Sequence, residues 1–171
     1  TQSKAYLVEY LGLSTECKIF QSNNHFASTP ELVSTIDLVI NFDNIISAPD
    51  NENIYWFLLR EPPFDKLFVT KDGFSTFERL KVASNNESIQ VIRANPNKAG
   101  EVWAVLNRPH RSEVFKSNDY GVTWSTSSLG LPIEFIWDIS INPNNPANLI
   151  ASLRDREGIY VSFNGGGSWE L

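Results

Sequence analysis

The chain has 171 residues, 42% apolar and 20% charged, enough for a domain with a substantial core. Its formal net charge of −6 argues against a general nucleic-acid binder, which carries a basic stripe or patch. The single cysteine, Cys17, excludes an intrachain disulfide, and no apolar run approaches the roughly 20 residues that span a bilayer.

Met is absent and no signal peptide is visible at the start, so Thr1 is not a natural initiator. The expectation is a processed product or a fragment. In chain order, the first elements are strands at Ala5–Tyr10 and Cys17–Gln21, with Cys17 reading as a small buried hydrophobe. A turn at Ser22-Asn23-Asn24-His25-Phe26-Ala27-Ser28 and a polar, turn-rich linker at Ser28–Ser34 follow. The next unit has strands at Ile45–Ala48, Asn53–Leu59 and Lys66–Val69, the last running into Thr70-Lys71-Asp72-Gly73-Phe74-Ser75-Thr76-Phe77. The third has strands at Val91–Asn95, Glu101–Leu106 and Glu113–Lys116, then Ser117-Asn118-Asp119-Tyr120-Gly121-Val122-Thr123-Trp124 and a linker at Ser125–Leu131. The fourth has Ile139–Asn142, Asn148–Leu153 and Gly158–Val161, then Ser162-Phe163-Asn164-Gly165-Gly166-Gly167-Ser168-Trp169.

Two independent markers share one period. The turn segments start at 22, 70, 117 and 162, and the last three fit hydroxyl, x, Asp/Asn, x, x, x, hydroxyl, aromatic. Pro49, Pro96 and Pro143 recur every 47 residues, each followed by Asp or Asn and each ending a β-branched stretch. A proline gives no N–H to a ladder and so marks a strand end. About 47 residues per unit suits a four-stranded propeller blade. The expected fold is all-β: about four blades at 1–34, 35–82, 83–129 and 130–171, the first lacking its inner strand. Trp56 and Trp103 lie seven residues after their prolines, with Ile150 in the same register, so they read as core residues.

These turns resemble those of the Asp-box (bacterial neuraminidase repeat) propellers, a family that includes sialidases, xyloglucan-active hydrolases and sortilin-like receptors. The residue types explain themselves structurally. Asp72, Asp119 and Asn164 can accept backbone N–H groups two residues on, as in an Asx-turn; Gly121 and Gly166 permit positive φ. Phe77, Trp124 and Trp169 can bury apolar area between strands. The resemblance implies that these turns face away from the ligand. No EF-hand pattern is present, and no cofactor is expected.

On the opposite end, the B–C loops carry Arg60, Arg108, His110, Arg111, Arg154 and Arg156, candidates for binding an anionic ligand, although Glu61, Asp65, Asp155 and Glu157 can pair with them. Glycosidases need two flanking carboxylates; the candidates are Asp37, Asp43, Glu134 and Asp138, of which Asp138, near the start of the last blade's inner strand, could approach the central channel, with no partner placed opposite it. Hydrolase, P-loop and HExxH signatures are absent, and no catalytic or metal-binding residue is assigned. Asn86-Glu87-Ser88 is a glycosylation sequon. The expected function is a non-enzymatic, extracellular or cell-surface module that binds a protein or glycan and associates with further blades or a partner chain. The alternative is a segment of a glycan-active hydrolase with catalytic residues partly elsewhere.

Overall fold

The structure, a computed structural model, describes residues 5–10, 16–23, 26–37, 41–49, 51–60, 63–84, 88–154 and 158–171. Among these no residue is helical, and the strands form four antiparallel sheets. The first contains β1 (Ala5–Tyr10), β2 (Glu16–Ser22) and β3 (Glu31–Asp37) in that order. The second runs β4 (Asn41–Ser47), β5 (Tyr55–Arg60), β6 (Lys66–Thr70), β7 (Glu78–Leu80). The third runs β8 (Ser88–Ala94), β9 (Val102–Asn107), β10 (Ser112–Ser117), β11 (Ser125–Thr126). The fourth is β12 (Ile136–Ile141), β13 (Leu149–Leu153) and β14 (Ile159–Ser162), with Glu170 bridging to Val161 where an outer strand belongs.

Each sheet is a meander, and β8 packs between β4 and β12, so three inner strands line one axis. This is a four-blade segment of a β-propeller whose first sheet shows strands B, C and D. The segment expected to be a linker, Ser28–Ser34, instead enters β3, which pairs with β2 from Glu31 to Asp37. The first sheet therefore extends past the expected boundary at residue 34. The expected linker Ser125–Leu131 likewise begins with β11.

The A–B turns are closed by the residue before each proline: Ala48, Asn95 and Asn142 donate their N–H to the carbonyls of Ile54, Glu101 and Asn148, each at 2.9 Å. Asx-turns occur here, where Asn51, Asn95 and Asn142 accept the N–H two residues on.

In the C–D turns the acid instead reaches four residues on, which corrects the expected pattern. Asp72 Oδ1 accepts Thr76 N–H at 2.9 Å, Asp119 Oδ1 accepts Thr123 N–H at 2.8 Å, and Asn164 Oδ1 accepts Ser168 N–H at 2.9 Å. The opening hydroxyl makes a second ring: Thr70, Ser117 and Ser162 accept from the N–H of Phe74, Gly121 and Gly166. The first turn retains this ring, Phe26 N–H donating to Ser22 Oγ at 2.7 Å, although it lacks the closing aromatic. All four residues that close the hydroxyl ring have positive φ: Phe26 at 62°, Phe74 at 71°, Gly121 at 92° and Gly166 at 84°. The turn aromatics differ in burial. Trp169 is only 5% exposed, with Nε1 donating to Ser127 O, whereas Trp124 and Phe77 are half-buried. The burial expected of all three is complete in the fourth blade alone, where Trp169 N–H also bonds Leu129 O across from the third blade's outer connection.

The core lies between blades. Ile19, Phe57, Leu59 and Phe74 fill the first interface, with Tyr6 packed against them. Trp56, Leu58, Leu80, Ile92 and Leu106 fill the second; Trp103, Val105, Ile139 and Leu149 fill the third. Cross-strand register equates four residues: Tyr6, Trp56, Trp103 and Ile150 face Gln21, Val69, Lys116 and Val161, each one residue before the hydroxyl of its own blade's turn. Each of the first three packs on the turn of the next blade. The Tyr6 ring centroid lies 5.1 Å from that of Phe74, Trp56 stacks on Tyr120 at 6.1 Å and donates Nε1 to its carbonyl at 2.9 Å, and Trp103 lies against Gly166. Trp103 Nε1 is buried and has no hydrogen-bond partner among the described residues. The carbonyl equivalent to that of Tyr120 belongs to Gly165, and Lys116 Nζ takes it at 3.0 Å while lying over the Trp103 ring.

Candidate functional site

The meander register brings the starts of β4, β8 and β12, the ends of β5, β9 and β13, and the starts of β6, β10 and β14 to one end of the sheets. Pairs such as Asn41–Arg60, Ser88–Asn107 and Ile136–Leu153 show this directly. The turns with Asp72, Asp119 and Asn164 lie at the other end. The loop arginines and His110 therefore do share an end of the molecule, with Arg156 outside the described residues.

Near its start each inner strand shifts register, between Asp43 and Ile45, Ile89 and Val91, and Ile136 and Asp138. The extra residues are Asn44, Gln90 and Trp137, and Asn44 has φ 56°. A bulge leaves carbonyls outside the ladder and re-aims side chains. Arg60 uses these carbonyls. Its guanidinium bonds Ile89 O and Gln90 O of the next blade, Asp43 at 2.8 Å and Asp65 at 3.0 Å. Gln90 Nε2 in turn reaches Trp137 O at 3.4 Å, and its Oε1 accepts from Asn107 Nδ2 at 3.0 Å. Arg93, which was not among the sequence-derived candidates, grips Asp138 with Nη2 at 2.7 and 2.8 Å and donates to Ile139 O. Arg60 and Arg93 are thus ties between neighbouring blades.

Arg108 and Arg111 share Glu113, at 3.1 and 2.6 Å. Burial works to raise the Glu113 carboxyl, but hydrogen bonds and charge from the two arginines outweigh it and hold the group below its ordinary range. His110 and Arg154 are exposed on the same end. The pairing of Arg60 with Asp65 was among those the sequence allowed, whereas the tie to Asp43, 17 residues away, was not visible in it. Beside the Arg111–Glu113 pair is a groove of about 220 Å³ lined by Thr126, Ser128, Leu131, Pro132 and Ile133. Ile133 is strongly exposed, and Trp137, four residues on, is 59% exposed. Neither was singled out from sequence; an exposed aromatic on an inner strand looks like any core strand residue until the bulge is seen. Among the described residues no cluster of His, Cys, Asp and Glu is placed to hold a metal.

At the opposite end, Asp72 and Asp119 are held below the ordinary carboxylate range chiefly by the hydroxyl and backbone N–H of Thr76 and Thr123. Both oxygens of each are spent on their own turn, so this end offers a finished structural device.

No family profile and no curated protein matches the chain. Solved structures do. A GH74 xyloglucanase from Xanthomonas campestris aligns with TM-score 0.65 at 11% identity, over 91% of this chain and 27% of its own. Niastella koreensis GH74 aligns with TM-score 0.53 at 13% identity, over 98% and 36%. YCF48 bound to D1 peptide aligns with TM-score 0.59 at 15% identity, over 99% and 51%. The likeness is one of propeller fold, and the chain spans about a quarter to a half of each of these proteins.

Proposed function

We propose that this chain is a binding segment of an Asp-box-type propeller, extracellular or at a cell surface, and that it holds a protein or glycan ligand on the end where the inner strands begin. The four turns with hydroxyl rings motivate the Asp-box reading. One observation carries the binding reading: the groove walled by Leu131, Pro132 and Ile133 beside the Arg111–Glu113 pair, with the Trp137 ring exposed on the same end. Apolar surface with a few fixed polar groups is what ligand sites require. Asp43, Asp65, Glu113 and Asp138 are each engaged by arginine, which favours binding over hydrolysis. Propellers of this fold include xyloglucanases and one bound to a peptide, so both ligand classes suit the scaffold.

An anionic ligand would compete with Glu113 for Arg108 and Arg111, and its affinity would fall with salt. The test is calorimetric titration with an acidic peptide, a polygalacturonate oligosaccharide and a neutral xylogluco-oligosaccharide. Arg111→Ala with Ile133→Asp should weaken binding at least tenfold with an unchanged melting temperature. Release of reducing ends from either sugar would replace this reading with the hydrolase one. Binding indifferent to the double substitution would remove the site.

A further inference from the structure

The fourth turn carries an amide where the second and third carry acids. Asn164 makes the acid's bonds: its Oδ1 accepts the Ser168 N–H and the Ser162 hydroxyl, each at 2.9 Å. Its Nδ2 donates to Ser168 Oγ at 2.9 Å, the reverse of the bond that the Thr123 hydroxyl donates to Asp119. Asn164 is also the one Asn in the sequence that is followed by glycine.

That neighbour gives the side chain a reaction. A glycine nitrogen has no adjacent Cβ to hinder it. It attacks the preceding Asn Cγ and loses its proton; the new C–N bond closes a succinimide ring, the Cγ–Nδ2 bond breaks, and ammonia leaves. Water then adds to one of the two ring carbonyls, giving Asp, or isoaspartate, in which the main chain runs through the side chain. Asn164 is exposed, so water reaches it. The closed turn opposes the first step, which needs the two reacting atoms aligned and in contact. Gly165 N–H is instead bonded to the Ala147 carbonyl at 2.8 Å, and three bonds hold the amide group to Ser162 and Ser168. Both partners must be released before they can meet.

We propose that Asn164 is a spontaneous deamidation site that the closed fourth turn holds unreactive, so that an acid appears there in proportion to the opening of that turn. The two products diverge. Asp is the residue of the second and third turns, and the Ser168 hydroxyl need only rotate to donate to it, as Thr123 does to Asp119. Isoaspartate lengthens the main chain by one carbon just before Gly165. That residue's N–H is held by Ala147, and its carbonyl accepts Lys116 Nζ of the third blade at 3.0 Å. Isoaspartate therefore loosens both the turn and the tie between the two blades, whereas Asp keeps them. This site lies at the opposite end from the ligand groove and does not depend on it.

Incubation of the 171-residue chain in mildly alkaline buffer, folded and in guanidinium chloride, tests it. Trypsin cuts after Arg156 and releases a last peptide in which Asn164 is the only Asn, so mass spectrometry of that peptide reads the conversion and separates Asp from isoaspartate. Conversion should be about tenfold or more slower in the folded chain, because it follows the open fraction of the turn. Ser168→Ala should speed conversion in the folded chain and leave the denatured rate unchanged. Ser168→Thr keeps the hydroxyl, as at Thr123, and should keep both wild-type rates. Asn164→Asp should melt with the wild type. Equal rates in the folded and denatured chains, no conversion in the denatured chain, a folded Ser168→Ala chain as slow as the wild type, or an Asn164→Asp chain that melts lower would each overturn the proposal.

Discussion

At the scale of single residues, Trp56 and Trp103 occupy equivalent positions and are both fully buried, but only Trp56 has a partner for its indole N–H. Trp56→Phe removes that bond and strands the Tyr120 carbonyl; Trp103→Phe removes a donor that is already unpaired. The first substitution should cost about 1–2 kcal/mol more than the second in urea unfolding. Equal costs would show that the indole bond to Tyr120 contributes nothing net. Acid sensitivity also belongs here. Asp72 and Asp119 lie below their ordinary values through the threonine bonds of their own turns. Glu101 does so despite burial, because Lys98, Asn95 and Lys116 outweigh the desolvation. Groups lowered on folding stabilise above their unfolded values of 3.8 and 4.5, and that stability is lost as pH falls through the folded values. The urea midpoint should therefore hold from pH 7 to 5 and fall below about 4. Asn164 already performs the acid's task in the fourth turn, so Asp119→Asn should cost under about 1 kcal/mol and Asp119→Ala about 1–2 kcal/mol.

At the scale of elements, strands A, B and C were legible because a proline ends one and a hydroxyl-acid turn begins after another. The outer strands were legible where a closing aromatic marks their start, as for β7, β11 and the bridge at Glu170, but not in the first blade. β3 follows a turn without its closing aromatic and lies among Ser, Thr and Pro residues, and its strand character comes from pairing with β2. The bulges were invisible too, since an inserted residue on an inner strand leaves the apolar pattern unchanged elsewhere. The loop arginines and the Arg60–Asp65 pairing were legible along the chain, but Asp43, Ile89 O and Gln90 O, which also hold Arg60, come from other strands. Gly130 is another contact between elements. It has φ 89°, and a Cβ there would lie 2.1 Å from the Trp169 carbonyl oxygen. Gly130→Ala must both strain the backbone and push away the fourth blade's closing strand. Its cost should exceed the roughly 1–3 kcal/mol of the conformation alone, read as a fall in the thermal midpoint, and a neutral effect would contradict this packing.

At the scale of the molecule, the 47-residue spacing of Pro49, Pro96 and Pro143 was sufficient to read a propeller, because radial repetition needs only one unit that recurs. What a single unit cannot show is how its flanks are covered. The turns have a further consequence in time. Gly73, Tyr120 and Gly165 each donate their N–H to a carbonyl 18–20 residues earlier, those of Asn53, Gly100 and Ala147. The bonds that close each turn into its rings thus lie within its own blade, and those that cross to Tyr120 O and Gly165 O come from the blade before, so contacts between blades join neighbours. Such low contact order lets each blade form as soon as its residues leave the ribosome, before the next has been synthesised. The blades can form in sequence, with each finished blade offering a nearly complete surface to the one that follows.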